Sequence, residues 1–288
     1  MECELWPRLY ALVKRVGQRW PRSRVRYSDS VIVLVFLWAC LHDRPQVWAC
    51  DVRNWKSTRL RPACLPSDST LSRRLKSPSV QALMKELENC LREGTPRCLL
   101  SFIDGKPLTV GGRSTDREAR WGYAAAGMSR GYKLHAIWSY RPIPDAWTVR
   151  PMNENESRVA KLLIPQVAGV GYLAADAKYD VVTLHDLAVQ HGYQLVAAPH
   201  VRGANGLGHH RQSPHRLHSL QLLMRPFGQD LFKQRKTIER MFGNATSFAG
   251  GLAPLPSWVR RLHRVQRWVW AKLTINAIRI KLHQGLAS

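Results

Sequence analysis

The chain has 288 residues, 45% hydrophobic and 22% charged, enough to bury one large core or two modest ones, which excludes a mini-protein and a wholly disordered chain. Forty-four Lys and Arg against 20 Asp and Glu give a net charge of +24, a field that draws polyanions; solubility alone does not call for so much, so nucleic acid is the expected partner. The longest apolar run, Val31 to Leu41, spans 11 residues, short of the roughly 20 of a bilayer span, and Met1-Glu2-Cys3-Glu4 does not open a secretory signal, so no membrane association and a cytoplasmic location are expected.

Residues 1–95 carry 17 basic and 9 acidic side chains and read as helical. Asp29 and Ser30 are candidate N-caps for the run through Val35 and Trp38, which is apolar on all sides and so suits the central helix of a small bundle. Farther on, Pro66-Ser67-Asp68-Ser69-Thr70-Leu71-Ser72-Arg73-Arg74-Leu75-Lys76 supplies cap residues, then Leu71 and Leu75 on one face with Arg73 and Arg74 elsewhere. That pattern fits a helix-turn-helix recognition helix contacting DNA and equally an ordinary amphipathic helix with a solvated basic face. A helix over Ser79 to Leu91 follows, and Gly94-Thr95-Pro96 reads as a linker. All six cysteines lie within the first 98 residues without a Cys-x-x-Cys pair, which favours reduced, mostly buried thiols over a zinc module.

Beyond the linker the period changes. Cys98 to Ile103 is a short apolar run ending in Asp104-Gly105, the pattern of a buried strand with a carboxylate at its C-terminal edge. Strands are expected over Tyr132 to Tyr140, Trp147 to Met152, Gly171 to Ala175 and Tyr193 to Ala198, with helices over Ser157 to Val167 and Val181 to His191, the latter capped by Asp180. The order predicts a mixed α/β sheet flanked by helices. Residues 201–230 lose periodicity and read as a loop or arm. His209, His210, His215 and His218 stand there among arginines without Cys or acid partners, which favours a DNA-facing arm over a zinc site. Helices over Leu231 to Met241 and within Ser257 to Leu282 close the chain, the second carrying Leu262, Val265, Val269 and Leu273 on one stripe.

Three carboxylates stand out. Asp104 and Asp176 each end an apolar strand at the sheet edge where open α/β folds place their sites. Glu239 is one of only two acids, with Asp230, against 15 bases in residues 201–288. It is either an i, i+4 partner of Arg235 or one of three converging carboxylates able to hold two hard divalent cations. His135 is either a neighbour of that site or a packed strand residue, and Trp121 is a candidate for stacking on a displaced base.

Asp104-Gly105, Gly131-Tyr132-Lys133-Leu134-His135, Ala175-Asp176-Ala177-Lys178-Tyr179-Asp180 and Phe232-x2-Arg235-x3-Glu239 together resemble the bacterial insertion-sequence DDE transposases over about residues 97–283. The resemblance implies a ribonuclease-H-like catalytic domain over 96–288, with basic C-terminal helices, after a helical DNA-binding domain over 1–95. It implies that Asp104, Asp176 and Glu239, with 71 and 62 residues between them, bind two Mg²⁺ ions, or Mn²⁺ in their place. Arg235 would contact DNA, together with Arg73 and Arg74. The implied activity is cleavage at element ends and strand transfer into target DNA by a homodimer on double-stranded DNA at the nucleoid. In the family's Tyr-x2-Arg-x3-Glu-x6-Lys signature, Phe232 replaces the Tyr and Thr246 stands at the Lys position. The competing functions are a ribonuclease-H-like nuclease without strand transfer and a non-catalytic DNA-binding descendant.

Overall fold

The computed structural model describes residues 2–20, 25–96, 98–124, 127–167, 169–199, 212–247 and 251–285. Five helices come first, α1 Glu2–Gln18, α2 Asp29–Leu41, α3 Gln46–Ala49, α4 Asp68–Arg74 and α5 Pro78–Arg92. Then follow β1 Leu100–Thr109, β2 Arg120–Ala124, β3 Gly127–Trp138, β4 Ala146–Pro151, α6 Glu156–Leu163, β5 Gly171–Ala175, α7 Val182–Gln190 and β6 Tyr193–Ala197. The chain closes with α8 Pro214–Leu223, α9 Pro226–Lys233, α10 Lys236–Ser247 and α11 Leu262–His283. These elements form two units: Met1–Thr95 with Ala245–Leu252 and Pro256–Ser288, and Pro96–Asn244 with Ala253–Leu255.

The helical unit is built around α2, whose all-round apolarity leaves it buried from Ile32 to Cys40. Its cap is Ser28, one residue before the expected Asp29, and Ser28 Oγ accepts the Val31 N–H at 3.4 Å. Asp29 is turned inward instead and accepts from Arg74 and from Trp20 Nε1. Trp38 stacks on Trp55 at 4.7 Å between ring centroids and meets Trp6 edge-on at the same separation. The C-terminal helix was expected with the second domain, but α11 belongs to this unit. Its buried run, Val265 to Ile278, packs against α1, α2 and α5, and Trp270 Nε1 donates to the Met84 carbonyl at 3.1 Å.

The second unit is a six-stranded mixed sheet ordered β2-β3-β1-β5-β6, with β4 also paired to β3, flanked by helices. β1 pairs antiparallel with β3 and parallel with β5, and β5 pairs parallel with β6. A mixed sheet flanked by helices is the architecture expected. Because side chains alternate across a strand, Ile103 and Ile137 join the core formed with Val159 and Leu163 of α6 and Leu184 of α7. Phe102 and Trp138 take the opposite face, where Trp138 meets Phe242 of α10 edge-on at 5.9 Å.

Three expectations are corrected. β1 does not end at Asp104: its pairing with β3 continues to Thr109 opposite Gly131, so Asp104 lies in mid-strand. β2 is an added strand along β3. Residues 214–223 and 226–233 are helices rather than loop, each opening on a proline at its first turn, where the missing N–H costs nothing.

Candidate active site

Parallel neighbours β1 and β5 carry Asp104 and Asp176, Asp104 in mid-strand and Asp176 immediately after Ala175 closes β5. Asp104 Oδ1 accepts the Gly105 N–H at 2.7 Å. Asp176 caps a 3₁₀ turn over Ala177–Tyr179, its Oδ1 accepting the Lys178 N–H at 2.9 Å. Burial pushes the Asp104 carboxyl up to about 6, with the charges of Asp176 and Glu156 adding to it and Arg235 opposing. Burial likewise raises Asp176, with Glu156 adding and Lys178 and Arg235 opposing. Two acids in one another's field, each driven toward the neutral form, are what a cation between them would relieve. As paired oxygen donors they fit a hard divalent ion.

Glu239 stands differently. Its side chain is 57% exposed and Arg235 Nη2 lies 3.3 Å from its Oε1. It faces an open cavity of about 780 Å³ lined also by Lys233, Lys236, Arg240 and Tyr140. Among the described residues no group of three His, Cys, Asp or Glu side chains could hold a metal ion. The structure therefore brings together Asp104 and Asp176 with the charge of Arg235 on both, and leaves Glu239 on the Arg235 side chain.

Sequence reasoning missed Glu156. It occupies the first turn of α6, behind the Asn155 cap, with its side chain 7% exposed. Its Oε1 accepts from Lys133 Nζ at 2.6 Å and from Lys178 Nζ at 3.3 Å, while its Oε2 is buried without a partner. Burial alone would raise this carboxyl, but the hydrogen bond and charge of Lys133, followed by Lys178, hold it below its ordinary value. Lys178 belongs to the turn that Asp176 caps, so Glu156 braces that turn from below. Lys133 reaches it across Gly105: a Cβ there would lie 2.7 Å from Lys133 Cδ, which is why the residue after Asp104 carries no side chain. The available signal was the Asn155-Glu156 pair ahead of a helix, which marks a cap but not an ion pair.

The remaining candidates sort plainly. His135 is the packed strand residue of its two readings: it is 1% exposed, neither ring nitrogen has a partner, and burial lowers it to about 4. Asp180 does not cap α7. It accepts two hydrogen bonds from Arg216, both at 2.7 Å, and lies 3.1 Å from His185 Nε2. Trp121 is 61% exposed on β2, beside Tyr123 at 75%. In the helical unit Arg73 is exposed, whereas Arg74 is partly buried and donates to Asp29 and to the Tyr27 carbonyl. His215 and His218 lie on α8, and His209 and His210 fall outside the described residues. Cys40, Cys50, Cys64, Cys90 and Cys98 are free thiols, and burial pushes Cys40 up to about 12. No helix among the described residues is long and apolar enough to cross a membrane.

The sequence profile of the family described as "Transposase DDE domain" matches residues 99–276. No curated protein matches the chain. Among solved structures, a piggyBac transposase synaptic complex with hairpin DNA shows 13% identity and a TM-score of 0.35, covering 70% of this chain and 49% of that one. The chain thus spans about half the length of that neighbour, and a likeness this slight carries no weight for the site.

Proposed function

The chain belongs to the transposase DDE domain family, and from that membership we propose that it cuts DNA at the ends of an insertion element and joins the freed end to target DNA. The observation that carries the reading is the placement of Asp104 in β1 and of Asp176 just past the end of its parallel neighbour β5, with the Asp176 charge bearing on Asp104. In this reading they hold two Mg²⁺ ions, Mn²⁺ serving in their place, with Glu239 as the third ligand. When bound, such a pair supplies the Lewis acidity that favours an attacking oxygen as its anion and offsets charge on the leaving one.

The chain's own residues do the rest. The Arg235 guanidinium, whose charge already bears on both aspartates, takes a DNA phosphate and so releases the Glu239 carboxylate it now engages. Glu156, fixed by Lys133, holds Lys178 and with it the turn that Asp176 caps. Water attacks the scissile phosphorus, the P–O3′ bond breaks and the departing oxygen takes up a proton. The 3′-hydroxyl so formed attacks a target phosphodiester, displacing its 3′ oxygen. Double-stranded DNA is the partner that a +24 chain suits, with exposed Arg73 as one contact and Trp121 as a stacking surface. A homodimer acting at the nucleoid completes the proposal.

The test is a joining assay with labelled element-end duplex, supercoiled target and Mg²⁺. Joined product that disappears in Asp104→Asn and Asp176→Asn supports the reading. Cleavage without joining assigns a nuclease, and binding without cleavage assigns a non-catalytic DNA-binding protein.

A further inference from the structure

The helical unit contains a cavity of about 220 Å³ walled by Arg44, Arg264 and Arg267 and by the rings of Phe36, Trp258 and Trp268. Asp68 is the one carboxylate in its lining, and it already accepts from Gln46 Nε2 at 2.8 Å. Arg267 is 6% exposed. Its Nε donates to the His263 carbonyl at 3.1 Å, but its Nη1 is buried with no partner, as is Trp268 Nε1. Burial, followed by the charge of Arg264 one turn earlier, lowers the Arg267 guanidinium to about 10.

Buried charges are ordinarily paired, because an uncompensated ion in a poorly solvated site costs several kcal/mol. Here a buried guanidinium with one donor unfilled stands beside a second cation, in the wall of an open cavity. The volume is several times the roughly 30 Å³ of one water in the liquid, so it admits a tetrahedral oxyanion with attendant waters. Arginine forks match the paired oxygens of such a group, and the aromatic wall keeps competing water few.

We infer that this pocket is an anion site that takes a phosphate group through Arg267 and Arg264, separate from the aspartates of the sheet. The phosphate comes either from a DNA backbone that lies across the pocket mouth or from a free phosphate ester, and the chemistry of capture is the same.

The experiment follows thermal unfolding of the full chain as chloride is exchanged for inorganic phosphate at constant ionic strength. The wild-type midpoint should rise saturably by a few degrees, since the ligand binds only the folded state. Arg267→Met should unfold at a higher temperature than wild type without phosphate and no longer respond to it, the unpaired charge having been removed. Arg264→Gln, at an exposed position, should weaken the response about tenfold, and it keeps the test decisive if Arg267→Met does not fold. Duplex binding as a function of salt then identifies the source. A slope smaller by about one in Arg264→Gln assigns a backbone phosphate, and an unchanged slope with the phosphate response weakened assigns a free phosphate ester. A wild-type midpoint indifferent to phosphate, or variants that respond as wild type does, would overturn the inference.

Discussion

Arg235 and Glu239 stand one helical turn apart where α10 begins, the guanidinium Nη2 3.3 Å from the carboxylate Oε1, although Arg235 also bears electrostatically on Asp104 and Asp176. One cation is thus shared among the three acids proposed as metal ligands, and it is the group that a DNA phosphate would draw away.

Variants of this pair should separate metal from DNA. Glu239→Gln keeps the shape and removes one negative charge, so Mg²⁺-dependent cleavage should vanish while duplex binding holds or tightens. Arg235→Ala should instead lower the salt slope of binding by about one and leave metal affinity without DNA intact. Normal cleavage by Glu239→Gln would leave Glu239 as no more than a helix-face partner.

Glu156 with Lys133 is a buried pair and should behave as one. Glu156→Gln leaves Lys133, 8% exposed, without its counter-charge and should destabilise the second unit by about 3 kcal/mol in urea unfolding. In combination with Lys133→Met most of that loss should be recovered, since both charges are then gone. A double variant as unstable as the single would show that Glu156 acts through something other than Lys133.

Asp104 should set an opposed pair of pH effects. Its carboxyl, raised to about 6 against an ordinary 3.8, binds its proton more tightly folded than unfolded, so its contribution to stability falls as pH rises from 4 through 6. Asp104→Asn should remove that fall and, without metal, be more stable at pH 8 by on the order of 2 kcal/mol. Added Mg²⁺ should stabilise the wild type at pH 8, progressively less below pH 6, and Asp104→Asn hardly at all. Midpoints read with and without Mg²⁺ across this range check each sign.

His135 works against Asp104 on the acid side. Its folded value near 4 lies below the ordinary 6.5, so the unfolded chain takes up the proton first and stability declines as pH falls from 6.5 to 4. His135→Leu, similar in volume and without orphaned nitrogens, should flatten that limb. An unaltered limb would mean the imidazole is solvated in the folded protein.

What could be read in advance follows from how local each feature is. Leu100 to Ile103, Leu173 to Ala175 and Leu195 to Ala197 are short apolar runs because those strands are buried on both faces, so Asp104 and Asp176 were visible from composition alone. β2 escaped because it lies largely in solvent, with Trp121 and Tyr123 pointing outward, and its pairing comes from β3 rather than from burial. Helices α8 and α9 were obscured by Gly, His and Arg around them, although Ser213-Pro214 is a serviceable cap. Glu156 could not be seen because its partners lie 23 residues before it and 22 after, and only the folded sheet brings them near. The stripe on α11 announced an apolar face without naming the helices that cover it.

That α11 completes the core begun by α1, α2 and α5 bears on synthesis as much as on stability. A ribosome that has released residue 95 has made most of the helical unit's chain but lacks the strand of sequence carrying Trp268, Trp270 and Ile278, so the unit closes only after the whole sheet has been translated. The sheet unit can fold first although it comes second. A message broken between the two would yield an N-terminal fragment in which the side of α2 that α11 covers is bare, a substrate for proteolysis, which ties every folded helical unit to a completed sheet.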